Sequence, residues 1–259
     1  MPSACPSVAA EPAVVEELPD WLDWQESSRW DQNSGEIHFE MSGRDLSDSD
    51  VARWLVWLGR ELHAASPYMN WSIAKLDLSY NELTSDAIDR IVEFLRTTKL
   101  NCDEWNFEGN HITDDAFIKV AYHISEKVAR KINFSKNKDI TTRGLEWLCS
   151  ILSWHPLYPV KSERRGGAVY SPLVVLLDGT GVSEETEAVE TFFNSNQFLY
   201  MCCRVNIGCS QRMVGKHNVA LQLELGNGIC QTFGSDEYSM LRLSEDCQVH
   251  PPPRMCLLD

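Results

Sequence analysis

A pattern of the form L-x-L-x-x-N-x-L occurs three times in the middle of the chain, and it limits the possible folds more than any other feature. The copies begin at Leu76, Trp105 and Ile132; the second has aromatic residues in its first two apolar positions, and the third has one extra residue before the last. Successive copies start 29 and 27 residues apart. A period of this length is typical of proteins that stack one small structural unit on the next.

Weaker copies of the pattern lie on both sides of the three central ones. They begin at Phe39 and Val175, and they have Arg44 and Thr180 where the central copies have asparagine. Their distances from the neighbouring copies are longer, at 37 and 43 residues. The second gap contains residues 155–168, whose prolines and glycines predict a surface loop.

Each copy is followed by a helix start and then by apolar residues at helical spacing. After the first central copy, Thr84 offers N-cap chemistry, and Ala87, Ile91 and Leu95 recur at intervals of four residues. Five strand–helix units are therefore predicted. Their helix starts are expected at Ser47, Thr84, Thr113, Thr141 and Ser183.

The chemistry of such a unit accounts for its residue types. Alternate residues of a short strand point to opposite faces, so the apolar positions face a core and the residues between them face outward. One unit cannot bury its apolar face alone, and at least three must stack. The asparagines Asn81, Asn110 and Asn137 can hydrogen-bond backbone groups where the chain leaves the strand, which predicts a structural role for them.

In these motifs, residues 35–194 resemble leucine-rich repeats of the ribonuclease-inhibitor-like subclass, in which every unit carries a full helix. The resemblance implies an α/β fold: a short curved solenoid with a parallel sheet inside, helices outside and irregular caps at both ends. It also implies that the concave face of the sheet, or its rim, binds another protein.

The outward strand positions are the candidate binding residues, and most of them are polar. Four acids among them suggest an acidic stripe with a small basic end, and Tyr80 offers an aromatic anchor of the kind enriched in binding hot spots. The alternative is that these polar residues only face solvent and bind no partner. The candidates are Glu40, Lys75, Asp77, Tyr80, Glu104, Asn106, Glu108, Lys131, Asn133 and Lys136.

The charge of the chain narrows the class of partner. With 38 acidic and 23 basic residues the formal net charge is -15, and such a surface repels nucleic acid unless a basic patch compensates. We expect a protein partner with a basic or mixed-charge face, no small-molecule substrate and no membrane insertion. The acidic N-terminus lacks the features of a secretory signal, which predicts a cytoplasmic protein, with a nuclear location as the alternative.

Motifs for catalysis or metal binding are not apparent. The sequence has no GxSxG, GxxxxGK[ST] or HExxH motif, and its nine cysteines include no CxxC pair. We therefore expect a non-enzymatic scaffold or adaptor without cofactor or metal, and buried thiols rather than disulfides. It could be a subunit of a larger complex.

The two ends differ from the repeats. Residues 1–19 are rich in Ala, Pro and Glu and are predicted to be disordered, and residues 20–196 form the repeat domain with an N-terminal cap. Residues 197–259 are predicted to form a C-terminal cap or a small β appendage, in which residues 219–225 pair with residues 229–233 as a hairpin before an extended tail.

Two other functions use the same repeat class and remain open at this point. One is regulation of a small GTPase, because the GTPase-activating proteins for Ran are built from these repeats. The other is actin binding by a tropomodulin-like protein.

Overall fold

Short strands and longer helices alternate along the chain. A computed structural model describes residues 24–65, 69–154, 157–158, 160–164, 167–184, 201–203 and 221–224. In chain order the elements are β1 (Ser28–Asp31), β2 (Glu36–Glu40), α1 (Asp48–Ala64), β3 (Ser72–Asp77), α2 (Ser85–Thr98), β4 (Cys102–Asn106), α3 (Asp114–Glu126), β5 (Lys131–Asn133), α4 (Thr142–Trp154), β6 (Val160–Arg164), β7 (Gly167–Ser171), β8 (Leu173–Leu176), α5 (Gly181–Glu184), β9 (Met201–Cys203) and β10 (Leu221–Glu224).

Eight of these strands form one sheet in the order β1-β2-β3-β4-β5-β8-β10-β9. Only β1 and β2 pair antiparallel; the other neighbouring strands are parallel. Parallel neighbours need a crossover, and right-handed crossovers that advance in one direction place their helices on the same face of the sheet. Helices α1 to α4 pack side by side in chain order. The protein is thus a mixed α/β protein with a mostly parallel sheet.

The core lies between the sheet and the helices. The strand register aligns one apolar residue from each unit into a row, and every member is at most 1% exposed. Burying one large apolar side chain contributes roughly 1.5–3 kcal/mol to folding, so the row ties neighbouring units together strongly. The row consists of Phe39, Leu76, Trp105, Ile132 and Val175.

The three repeat asparagines lie beneath the turns that follow β3, β4 and β5, and all are buried. The Oδ1 of Asn110 accepts a hydrogen bond from the backbone N–H of Leu83 at 3.1 Å. Its Nδ2 donates to the carbonyls of Leu78 and Phe107, both at 3.0 Å. Each amide therefore connects its own strand to the preceding unit. Asn81 and Asn137 make the corresponding bonds.

The starts of neighbouring helices are also connected. Asp48, the first residue of α1, accepts hydrogen bonds from Thr84 N at 2.9 Å and Thr84 Oγ1 at 2.6 Å. Asp114 accepts bonds from Thr141 N and Thr141 Oγ1, both at 2.7 Å. The carboxylates thus fix the turn that precedes the next helix, and they lie at helix N-termini, where the helix dipole favours negative charge.

Four of the five predicted helix starts are confirmed: Ser47, Thr84 and Thr113 are N-cap residues, and α4 begins at Thr142. The fifth prediction is wrong, because α5 begins at Gly181 rather than after Ser183.

The segment predicted as a surface loop comprises residues 155–168. It contains β6, which pairs antiparallel with β7, and the register places Arg164 opposite Gly167. The adjacent glycines Gly166 and Gly167 are typical of a hairpin turn as well as of a loop.

Strand β10 near the C-terminus pairs with strands other than the one predicted. The expected strand at residues 219–225 exists as β10, but it lies between β8 and β9 and pairs parallel with both. It therefore extends the main sheet. Its proposed hairpin partner at residues 229–233, the extended tail and residues 1–19 lie outside the described residues.

His123 on α3 is a polar ring in the core. It is 3% exposed, its ring centroid lies 5.6 Å from that of Trp105, and neither ring nitrogen has a hydrogen-bond partner among the described residues. Burial lowers the pKa of His123 below its ordinary value; Glu126 opposes this shift, and Lys127 and Arg96 add to it. The folded protein consequently favours the neutral ring.

Lowering the pH through about 6.5 is therefore expected to lower the free energy of unfolding, because the unfolded chain binds a proton at His123 that the folded chain does not. The variant His123→Leu should show a weaker pH dependence in urea denaturation, and His63→Leu, at an exposed histidine near the end of α1, is the matched control. An unchanged pH dependence in His123→Leu would contradict the prediction.

Candidate functional site

The face of the sheet opposite the helices carries the predicted binding residues in two rows. The first row contains His38, Lys75, Glu104 and Lys131, which the register aligns across β2 to β5. The second row contains Glu40, Asp77, Asn106 and Asn133, aligned in the same way. Because neighbouring strands are about 4.8 Å apart, side chains within a row can contact one another.

Three members of the second row, Asp77, Asn106 and Asn133, form a hydrogen-bonded ladder. Asn106 Nδ2 donates to Asp77 Oδ1 at 3.0 Å, and Asn133 Nδ2 donates to Asn106 Oδ1 at 2.9 Å. Asn133 Nδ2 also donates to Glu108 Oε2 at 3.1 Å. The orientation of each side chain is thereby set by its neighbour, and the ladder is ordered without any ligand.

Asp77 is the charged end of this ladder. Its Oδ2 lies 3.0 Å from Lys75 Nζ, and its Oδ1 also accepts a bond from Ser79 Oγ at 2.6 Å. Burial alone would raise the pKa of Asp77, but the hydrogen bonds from Ser79, Lys75 and Asn106 outweigh it and hold the pKa below its ordinary value. Asp77 is thus an ionised carboxylate whose charge is already compensated.

Tyr80, Glu108 and Lys136 form a second group at the carboxyl end of the strands, which we call the tyrosine clasp. The Tyr80 hydroxyl donates to Glu108 Oε1, and Lys136 Nζ lies 2.6 Å from that hydroxyl and 2.7 Å from Glu108 Oε1. Burial acts to raise the pKa of Glu108, but the bonds from Lys136, Tyr80 and Asn133 bring it below its ordinary value. The hydrogen bond to Glu108 raises the pKa of Lys136.

The backbone of the tyrosine clasp is unusual. Tyr80 and Lys136 have φ values of 54° and 61°, in the left-handed region that non-glycine residues rarely adopt. The corresponding positions in neighbouring units are glycines, among them Gly109 with φ of 68°. The Tyr80 ring lies across Gly109, where an added Cβ would stand 2.8 Å from it. Non-glycine residues in such conformations cluster at functional sites.

The acidic stripe expected from the sequence does not form as a continuous surface. Lys75 compensates Asp77, and Lys136 compensates Glu108. The register places Glu104 between Lys75 and Lys131, in a different row from Glu40. The face is therefore of mixed charge. Glu40 and Lys131 are exposed, as are Tyr80 and Lys136, and Glu104 is half-buried.

All ten predicted residues lie on this face, and seven of them form one connected set of hydrogen bonds and ion pairs: Lys75, Asp77, Tyr80, Asn106, Glu108, Asn133 and Lys136. The tyrosine clasp was not predicted as a group. A tryptophan-lined cleft at the β1 edge of the sheet was not predicted either, although Trp57 and Glu61 are four residues apart on α1, a spacing that places both on one helix face.

Other chemistry is limited in the described part of the chain. No group of three or more His, Cys, Asp or Glu residues there could hold a metal ion. Cys102 and Cys149 are buried, and burial raises the pKa of both thiols. Among the helices described, none is both long and apolar enough to cross a membrane.

No family model matches the chain, and no curated protein sequence matches it.

Proposed function

We propose that the chain is a short leucine-rich-repeat solenoid of the ribonuclease-inhibitor-like type that binds another protein through the polar face of its sheet, without catalysing a reaction. The period of 27 to 29 residues, the mostly parallel sheet and the buried asparagines support the fold assignment. The ordered ladder supports the binding role, because a face whose side chains are already fixed loses little entropy when a partner docks.

The observation that carries this proposal is the tyrosine clasp. Tyr80 is 48% exposed, yet its hydroxyl is held by Glu108 and Lys136, and its backbone is in a conformation that is unfavourable for tyrosine. A large exposed ring in a fixed orientation is the typical anchor of a protein interface. The mixed charges around it favour a partner segment with both acidic and basic groups.

Removing the aromatic ring of Tyr80 tests the proposed binding role directly. We expect Tyr80→Ala to weaken partner binding by at least about tenfold, because central aromatic anchors contribute about 2 kcal/mol or more. The measurement is affinity capture of tagged full-length protein from native lysate at two salt concentrations, followed by titration with the purified partner.

The matched control is Trp147→Ala, because Trp147 is also exposed, at 45%, but lies on α4. Loss of the partner with Trp147→Ala and retention with Tyr80→Ala would place binding on the helical side and contradict the proposal. Assays of GTP hydrolysis by a small GTPase and of actin binding separate the two alternative functions.

A further inference from the structure

A cleft at the β1 edge of the sheet is lined by three tryptophans from three different elements. Trp30 comes from β1, Trp57 from α1, and Trp71 from the segment that leads into β3. The other lining residues are Glu61, the apolar residues Ala64, Ala65 and Met69, and the uncharged polar residues Gln25, Ser28 and Gln32. The cleft has a volume of about 720 Å³, which lies within the range of roughly 300–1,000 Å³ that small-molecule sites occupy.

Two of the three tryptophans, Trp30 and Trp71, pack edge to face. The ring centroids of Trp30 and Trp71 are 5.1 Å apart, and their planes are inclined by 76°. Trp30 is held in place by a hydrogen bond from its Nε1 to Ser28 Oγ at 3.1 Å. Two rings nearly at right angles present an edge and a face to the same space, so a ligand there meets aromatic surface on more than one side.

The segment that carries Trp71 is fixed by Gly35 in the turn between β1 and β2. Ser72 N donates to Gly35 O at 2.9 Å, and Gly35 has a φ of 74°. A Cβ added at Gly35 would lie 2.9 Å from the backbone oxygen of Asn70. This close approach of two backbone segments holds the segment that carries Trp71 against the turn between β1 and β2.

Glu61 supplies the only charge among the described residues that line the cleft. It lies one helical turn after Trp57, on the same face of α1, and it is exposed. A cation over tryptophan is attracted by the electrons of the ring face, and a nearby carboxylate adds to this attraction. The cleft therefore has the charge and the surface for one cation.

The aromatic walls distinguish between kinds of cation. A primary ammonium has three N–H donors and is strongly hydrated, so it needs several acceptors. A quaternary ammonium has no donor to satisfy and places methyl groups against the rings. We propose that the cleft binds a trimethylated lysine side chain of a protein partner. The proposal does not rest on the polar face of the sheet.

The test uses full-length protein and an acetylated, amidated peptide that contains one trimethyllysine. Two comparison peptides carry unmodified lysine or the uncharged isostere with a tert-butyl group in place of trimethylammonium. Binding is followed by NMR through the methyl protons of the trimethylammonium and tert-butyl groups and the ε-methylene protons of the unmodified lysine, because tryptophan ring currents shift protons above the ring upfield. We expect the trimethyllysine peptide to bind about tenfold more tightly than its neutral isostere.

Two variants of the cleft and two controls sharpen the result. Trp57→Leu removes one wall, and Glu61→Gln removes the charge at an exposed position, so folding is preserved. Each should weaken binding at least about threefold. Trp147→Leu on α4 and Tyr80→Ala on the sheet should leave it unchanged. Equal binding of the charged and neutral peptides, or no effect of either cleft variant, overturns the proposal.

The choline headgroup of lipids carries the same trimethylammonium cation. A second experiment therefore distinguishes a lipid headgroup from a protein side chain as the ligand. Full-length protein is sedimented with phosphatidylcholine vesicles. Absence of binding supports a protein ligand. Sedimentation that is lost in Trp57→Leu would assign the cleft to a lipid headgroup and overturn the proposal as stated.

Discussion

Replacement of Asn110 by alanine is expected to lower the free energy of unfolding by about 3 kcal/mol. The substitution removes the hydrogen bond to Leu83 N–H and the two bonds to the carbonyls of Leu78 and Phe107. Leu83 is fully buried and has no other hydrogen bond to its N–H in the described structure. An unsatisfied buried donor costs about 1–3 kcal/mol, and each lost bond adds to it. Urea denaturation measures the change.

The two carbonyls do not lose all their donors in this variant, because neighbouring asparagines share them. Leu78 O also accepts from Asn81 Nδ2, and Phe107 O also accepts from Asn137 Nδ2, both at 2.9 Å. The double variant Asn81→Ala/Asn110→Ala leaves Leu78 O without an asparagine donor. It should therefore lose more stability than the sum of the single variants.

Asn81→Ala/Asn137→Ala is the matched control for this coupling. These two side chains donate to different carbonyls, so their effects are expected to add. Additivity in both double variants would mean that the asparagines act independently and that the shared carbonyls contribute nothing. A loss well below about 1 kcal/mol for Asn110→Ala would contradict the structural role itself.

The repeating part of the fold could be predicted because its determinants are local. The strand pattern, the asparagine and the N-cap residue of each unit lie within about ten residues of one another, and each has its own physical requirement. The position of β10 between β8 and β9 has no such local signal. The strand itself is visible as an alternating segment, but its neighbours are chosen by packing against distant residues.

The candidate face was predictable as a set of residues but not as a charge distribution. Charges counted along the sequence suggested an acidic stripe, whereas the register decides which charges are neighbours. One pair was within reach of sequence reasoning, because Lys75 and Asp77 are two residues apart and so share a strand face. The tyrosine clasp could not be predicted in this way, because it joins Tyr80 to Lys136 across Gly109 and depends on the absence of a Cβ at that glycine.

The same substitution at two helical glycines is expected to change stability in opposite directions. Alanine is favoured over glycine within a helix by about 1 kcal/mol. At Gly59 on α1, an added Cβ would meet only Phe94 Cε2 at 3.6 Å, an ordinary contact. Gly59→Ala should therefore stabilise the protein by about 0.5–1 kcal/mol.

At Gly144 on α4 the added Cβ would stand 2.5 Å from Asp114 Oδ1 and 3.2 Å from Phe117 Cδ1. Asp114 cannot move away without breaking its two bonds to Thr141. Hydrogen bonds to charged groups contribute roughly 1.5–3 kcal/mol each, which exceeds the gain in helix propensity. We expect Gly144→Ala to destabilise the protein by about 2 kcal/mol or more.

The cause of that loss can be isolated by removing the carboxylate. In an Asp114→Ala background the Cβ at position 144 no longer displaces a bonded group, so Gly144→Ala should cost little or become stabilising. Thermal or urea denaturation of the four proteins gives the coupling energy directly. A full loss that persists without the carboxylate would place the strain at Phe117 instead. A stabilising effect of Gly144→Ala in the wild type would mean that Asp114 does not fix the turn into α4.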